Sequence, residues 1–330
     1  MLAQRYPTAY DGIMAGAPGV YWPELMASGQ WPQQVMNTLA SYPYGCELDA
    51  ITAAAIAACD GLDGVVDGIV GDVDACLDSF DPFTLVGITV NQCPQAPGRA
   101  SVPISQAAAI VASETWKGPV GNRPRRRLWY GLSPGADLTG NDPSYQPGPD
   151  GLAFTNCSAT GKKCTGKSKS SFPWFQLLVA KDPSLNVQNL TDGQFFDMAH
   201  AGRQQYGSIL GTHDVDLSRF RDLGGKMITF HGLVSSQSST CFVCMLSFAD
   251  VVTPCNNTYR QTKRFHQKAP NTTTKLSEVL CQTWKLFTAT TRCPVSVTVS
   301  VAEADHQRPS LSNFARGSKT VRRREPCLSR

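Results

Sequence analysis

The sequence predicts an α/β fold, and three features carry that prediction. Gly12-Ile-Met-Ala-Gly-Ala-Pro18 is a short apolar run, the pattern of a buried strand leaving into a loop. Leu217–Leu223 reads as a short helix stopped by Gly224-Gly225, with the β-branched and aromatic run Lys226-Met-Ile-Thr-Phe230 directly after it. Helix, glycine pair and strand in that order make an α/β unit with a parallel sheet. Between these two ends the chain carries mostly helical spacing.

In chain order, Met1–Tyr6 reads as the end of a helix stopped by Pro7. Trp22–Ala40 and Cys46–Cys59 follow with helical spacing, and the second opens on Glu47 and Asp49, which suit a helix N-terminus. Asp60–Asp74 is a dense acidic loop, and Gln106–Trp116 is a further helix. Asn122–Lys169 is rich in Gly, Pro, Ser and Asn and reads as a long loop region. Phe172–Ala180 and Thr191–Ser208 are helical, and Gly211–Asp216 is a turn. Beyond Gly232 the pattern weakens: Val234–Phe248 has no clear period, and a Val295–Val301 alternation precedes a basic tail.

At 330 residues, with 42% hydrophobic and 17% charged residues, the chain is globular and forms one large domain or two ordinary ones. A net charge of +4 argues against nucleic acid, and the runs Arg125–Arg127 and Arg322–Arg324 read as solvated loop and tail. No apolar stretch is long enough to cross a membrane. Twelve cysteines and the sequons at Asn156, Asn189, Asn256 and Asn271 indicate a secreted glycoprotein. Met1-Leu-Ala-Gln-Arg-Tyr-Pro7 is not a signal peptide, so Met1 is expected not to be the native N-terminus.

The strongest chemistry lies between Cys59 and Cys76. Asp60, Asp63 and Asp67 bring three carboxylates into eight residues, and Gly61, Gly64 and Gly68 let the backbone turn between them. A hard cation such as Ca²⁺ takes six to eight oxygens, part carboxylate and part carbonyl, and the carbonyls of Val65 and Ile69 extend the set. The spacing is not that of an EF-hand, which needs a glutamate at its twelfth position. A disulfide between Cys59 and Cys76 would pre-order these ligands. The competing reading is a solvated acidic turn.

Ala58-Cys-Asp-x-Leu-Asp-Gly-Val-x-Asp-Gly-Ile69 resembles the calcium-loop signature of the tannase/feruloyl esterase family. Leu2-Ala-Gln-Arg-Tyr-Pro-x-x-Tyr-Asp-Gly-Ile-x-Ala-Gly-Ala-Pro18 resembles the segment after that family's nucleophile. Cys46–Ile51, Leu128-Trp-Tyr-Gly-Leu-x-Pro-Gly-Ala-Asp137, Asp216-Leu-Ser-x-Phe-Arg-x-x-Gly-Gly-Lys226 and His231-Gly-Leu233 fit in the same order. The resemblance covers residues 1–233 and implies a partial α/β-hydrolase whose large lid carries a structural calcium. It implies Asp60, Asp63, Val65, Asp67 and Ile69 as ligands. Cys46–Cys93 and Cys157–Cys164 are further disulfide pairings that the sequence admits without deciding.

The family hydrolyses esters with a Ser, Asp, His triad in that chain order. Its serine lies in a Cys-Ser-x-Gly-Gly segment, expected just before residue 1 of this chain, so the early strands and the nucleophile elbow are expected to be missing. Gly131-Leu-Ser-Pro-Gly135 matches G-x-S-x-G, but Pro134 has no N–H to offer an oxyanion, so it is rejected. The acid follows a His-Gly-Leu-Ala-Asp-x-x-x-Pro pattern in the family. Here His231-Gly-Leu233 is separated by fifteen residues from Ala249-Asp-Val-Val-Thr-Pro254, which marks Val234–Phe248 as an insert and Asp250 as the acid. No His-Cys pair marks the base; His266 and His306 do not fit, and His200, His213 and His231 read as structural. Cys241-Phe-Val-Cys244 lies within the insert and is not read as a redox or metal motif.

The expected organisation is a core segment over 1–18, a lid with the calcium loop over 19–208, further core with the acid-bearing loop over 209–270, and an aberrant or frame-shifted tail over 271–330. The expected activity is hydrolysis of plant phenolic esters, free or linked to polysaccharide, with this chain inactive by itself. Alternatives are a non-catalytic secreted calcium-binding fragment and a calcium-dependent carbohydrate-binding module, the latter lacking a repeated aromatic platform.

Overall fold

Helix boundaries follow from local capping chemistry. The computed structural model describes residues 1–16, 18–96, 98–121, 127–140, 151–158, 164–166, 173–214 and 216–230, with strand residues 274–275 and 300–301. Helix α1 (Leu2–Arg5) leads into strand β1 (Gly12–Gly16). Helix α2 (Trp22–Leu39) carries Pro23 in its first turn, where a missing N–H is unused, and stops at Ala40 in the left-handed region at φ 48°. Helix α3 (Gly45–Cys59) is closed at its start by Glu47, whose Oε1 accepts from Tyr44 N at 2.8 Å.

Short pieces follow: a 3₁₀ turn over Asp60–Asp63, helix α4 (Val73–Ser79), and the hairpin of β2 (Thr89–Asn91) with β3 (Ser101–Pro103). Ser105 Oγ caps helix α5 (Gln106–Lys117) by accepting from Ala108 N at 3.1 Å. Within the stretch read as loop, β4 (Thr155–Cys157) and β5 (Cys164–Gly166) form a second hairpin. Three-residue strands are too short to show alternation in sequence. Trp174–Val179, within the segment expected to be helical, is a π-helical turn, with Ala180 N donating to Phe175 O. The wider turn buries Trp174, Phe175 and Val179 together.

Helix α6 (Asp192–Leu210) opens with a reciprocal cap: Thr191 Oγ1 accepts from Gln194 N, and Gln194 Oε1 accepts from Thr191 N at 2.9 Å. Helix α7 (Ser218–Asp222) then leads into β6 (Lys226–Phe230), which pairs with β1 in parallel, Gly12 opposite Lys226 and Gly16 opposite Phe230. A two-residue pair, β7 (Thr274–Lys275) and β8 (Ser300–Val301), is antiparallel.

The core between β1 and β6 is helical: Trp31, Met36, Ile51, Trp116, Phe175 and Phe195 are all nearly or fully buried where α2, α3, α5 and α6 meet. Helices α2 and α6 run antiparallel. Gln34 Nε2 donates to Asp192 Oδ1 at 2.9 Å at one end, and buried Glu24 meets Arg203 Nε at 3.3 Å nearer the other. Where the chain leaves and re-enters the strand pair, Thr212 N donates to Val20 O at 2.9 Å and Gln4 Nε2 to Thr212 O at 2.7 Å. The parallel pair thus sits at the end of the helical unit where α2 begins and α6 finishes. Among the described residues, no helix is long and apolar enough to cross a membrane.

Candidate functional site

The loop after α3 is wound around one carboxylate. Asp60 Oδ1 accepts from the amides of Asp67, Gly68 and Ile69 at 3.0, 2.9 and 3.1 Å. Desolvation disfavours the charged carboxyl of Asp60, but the three amide donors outweigh it and hold its pKa below the ordinary value. Asp63 Oδ1 accepts from Val65 N at 2.9 Å and Asp67 Oδ1 from Ile69 N at 3.1 Å. Gly64 and Gly68 both take left-handed φ, 86° and 82°, which an L side chain would resist.

The far side of the loop is anchored. Ile69 and Val70 are buried, and Val70 packs with the buried Cys59–Cys76 disulfide, whose Cα atoms lie 5.3 Å apart. Gly71 faces the Asp63 carboxylate so closely that a Cβ there would collide with Asp63 Oδ2. Val66, at 84% exposure, marks a tip open to solvent.

All-oxygen donors from Asp60, Asp63 and Asp67 with the Val65 and Ile69 carbonyls fit a hard cation by chemistry, and Gly71 leaves the room that Asp63 occupies. The side chains do not converge: among the described residues, no three acidic, histidine or cysteine side chains gather into a cation-holding group. The cause is local, because Asp60 Oδ1 and Asp63 Oδ1 are turned to backbone amides.

The other two cysteine pairs also form disulfides, Cys46–Cys93 with Cα atoms 5.4 Å apart and Cys157–Cys164 with 3.9 Å. The G-x-S-x-G segment is a packed turn. Ser133 is buried, Leu132 N donates to Thr115 O at 3.0 Å, and Gly131 lies against the Thr115 and Trp116 backbone where no Cβ fits. A nucleophile elbow must instead present its serine openly at a strand-to-helix turn.

That same segment packs on the acidic loop. Gly135 lies against Val70 and Ile56, and Thr139 Oγ1 donates to Asp49 Oδ1 at 2.5 Å. Asp137 Oδ1 accepts from Thr139 N and Gly140 N, each at 2.8 Å. Glu47 has a second partner that its position in sequence does not signal: Oε2 accepts from Ser105 N at 2.7 Å, so one buried carboxylate ties the start of α3 to that of α5. His200 is exposed on α6, and His213 stacks on Tyr21 with ring centroids 5.0 Å apart. Asp250, His231, His266, His306, Cys241, Cys244 and the Val234–Phe248 stretch lie outside the described residues.

The sequence pattern described as "Tannase and feruloyl esterase" matches residues 1–246. The chain belongs to the tannase and feruloyl esterase family. Among this family's curated members, a probable feruloyl esterase of Arthroderma benhamiae is 34% identical over 70% of this chain and 39% of its own length. The mono(2-hydroxyethyl) terephthalate hydrolase of Piscinibacter sakaiensis is 29% identical over 71% of this chain and 43% of its own. The solved tannin acyl hydrolase from Aspergillus niger superposes with a TM-score of 0.60 at 29% identity, over 70% of this chain and 40% of that one. This tannase-family chain therefore spans about two fifths of the length of the relatives it matches.

Proposed function

We propose that this tannase-family chain is a secreted, calcium-bearing part of a carboxylic ester hydrolase that acts on plant phenolic esters. The observation that carries the reading is the Asp60–Ile69 loop, wound about Asp60 and closed by Cys59–Cys76, in a chain of this family. The carboxylates of Asp60, Asp63 and Asp67 with the carbonyls of Val65 and Ile69 hold the ion, which neutralises clustered negative charge and cross-links the loop. The calcium is structural.

In this reading residues 19–208 form the lid, and β1 and β6 belong to the sheet that supports the ester chemistry. A serine attacks the ester carbonyl, a histidine takes and returns the proton, and Asp250 orients that histidine and stabilises its cation. Asp250 is the one member of the triad that this reading places in the chain, so the 330-residue chain alone is inert. The second reading is a non-catalytic secreted calcium-binding fragment.

The test pairs calcium titration calorimetry of the recombinant chain with assays on methyl ferulate and methyl gallate. Saturable binding of one calcium that Asp60→Ala abolishes is the expected result, and no heat sinks the calcium reading. Turnover that Asp250→Ala removes would overturn the claim that the chain is inert alone.

A further inference from the structure

Two of the four sequons fall on described residues, and the fold brings them together. Asn156 is exposed on β4, opposite Thr165, and Asn189 is exposed at the end of the 3₁₀ turn Val187–Asn189. Gln188 Nε2 donates to Gly166 O at 2.5 Å, which joins the turn carrying Asn189 to the hairpin carrying Asn156. Both segments lean on one stretch of α2. Gln33 Nε2 donates to Phe154 O at 3.0 Å and Gln34 Nε2 to Leu190 O at 2.9 Å. Gln34 lies twelve residues along α2 from Trp22, about 18 Å at 1.5 Å per residue. The parallel strand pair sits at the opposite end, where Thr212 meets Val20.

We propose that Asn156 and Asn189 are N-glycosylation sites whose glycans share the end of the helical unit farthest from the β1–β6 strand pair. The proposal rests on the secreted reading above, since it needs passage through a glycosylating compartment. In the transfer, the asparagine Nδ2 bonds to the anomeric carbon of a lipid-pyrophosphate-linked oligosaccharide. The C–O bond to the pyrophosphate breaks, the lipid pyrophosphate leaves, and the amide gives up one proton, with no redox change.

The folded neighbours set the order of events. The Asn189 sequon ends on Thr191, whose hydroxyl is taken up in the α6 cap, donating to Gln194 Oε1 at 3.0 Å. The middle residue of the Asn156 sequon is Cys157, bonded to Cys164. Both glycans are therefore added before α6 caps and before that disulfide closes. Once folded, they stand out from the distal end, and bulky, solvated sugars there keep that end in water. The end at which the chain joins the strands stays clear.

The test uses the full chain, secreted from a glycosylating yeast behind a supplied leader, with site-resolved glycopeptide mass spectrometry. Glycans at both Asn156 and Asn189, cleaved by an endoglycosidase without denaturant, are expected. Asn189→Gln loses that glycan and keeps the one at Asn156; Thr191→Ser, which preserves both sequon and cap, keeps both. An unmodified Asn156 or Asn189 in the secreted chain overturns the proposal, as does a glycan released only after denaturation. Because the leader is supplied, these results do not depend on the native route. The secreted reading is judged separately, by whether the native product reaches the medium of its own host.

Discussion

Replacing Cys59 and Cys76 together by alanine removes a cross-link over a sequence separation of 17 residues. The chain-entropy relation assigns a loop of that length about 3 kcal/mol at 25 °C, most of it from the freed unfolded chain. The same relation gives about 4 kcal/mol for the 47-residue separation of Cys46–Cys93 and about 2 kcal/mol for the 7-residue separation of Cys157–Cys164. With an unfolding entropy of about 2.1 cal/mol/K per residue, a chain of 330 residues shifts Tm by about 1.5 °C per kcal/mol, so loss of Cys59–Cys76 lowers Tm by about 4–5 °C. A second effect is specific to this pair. Cys59 precedes Asp60, and Cys76 packs with Val70, so cutting the bond frees both ends of the acidic loop. Calcium at a hundred times its Kd stabilises a folded chain by about 2.7 kcal/mol. The double variant is expected to lose most of that increment, whereas the Cys157→Ala/Cys164→Ala variant keeps it. Thermal unfolding followed by circular dichroism, with excess calcium and with chelator, measures both quantities. A calcium-dependent shift of full size in the Cys59→Ala/Cys76→Ala variant would refute pre-ordering by the disulfide.

The remaining predictions concern single side chains. Asp60 has a folded pKa below the unfolded value of 3.8, so its stabilisation is complete above that value and is lost as pH falls through the folded one. Asp60→Asn should therefore flatten the acid limb of a metal-free stability profile below about pH 4 and leave its slope near pH 7 unchanged. Glu47→Ala strips the acceptor from two helix-start amides at a buried position and should cost about 3 kcal/mol in denaturant unfolding. Glu47→Gln, which keeps a carbonyl acceptor, should recover part of it. Gly131→Ala drives a Cβ into the Trp116 backbone and should cost about 3 kcal/mol. Ser133→Ala, by contrast, should leave any ester turnover unaltered, and a lost activity there would restore Ser133 as a nucleophile.

Much of the helical framework was legible because its signals are local. The spacing of Trp22–Ala40, Gln106–Trp116 and Thr191–Ser208 predicts helices that the structure places within two residues of those bounds. Gly224-Gly225 and the run Lys226–Phe230 likewise announce the end of α7 and strand β6. The two small hairpins were not legible, since three residues hold no period and Cys157–Cys164 supplies the constraint that propensity lacks. The helical spacing of Phe172–Ala180 shows in sequence, but its π-turn at Trp174–Val179 does not, because burial of Trp174, Phe175 and Val179 together is a demand of the surrounding core and not of the segment. Glu47 was legible as a helix start, while its bond to Ser105, 58 residues away, was not.

At the acidic loop the division is sharpest. Sequence by itself determined which carboxylates the loop carries, because Asp60, Asp63 and Asp67 with three glycines and two flanking cysteines are a covalent fact of spacing. Tertiary structure alone decided which way those carboxylates point: Asp60 Oδ1 turns to three amides that reach it only once Gly64 and Gly68 have folded the chain back. It also decided that β1 and β6, more than two hundred residues apart, lie side by side, and that Asn156 and Asn189 share one end of the helical unit. Such pairings depend on distances through space, and a one-dimensional pattern holds no record of them.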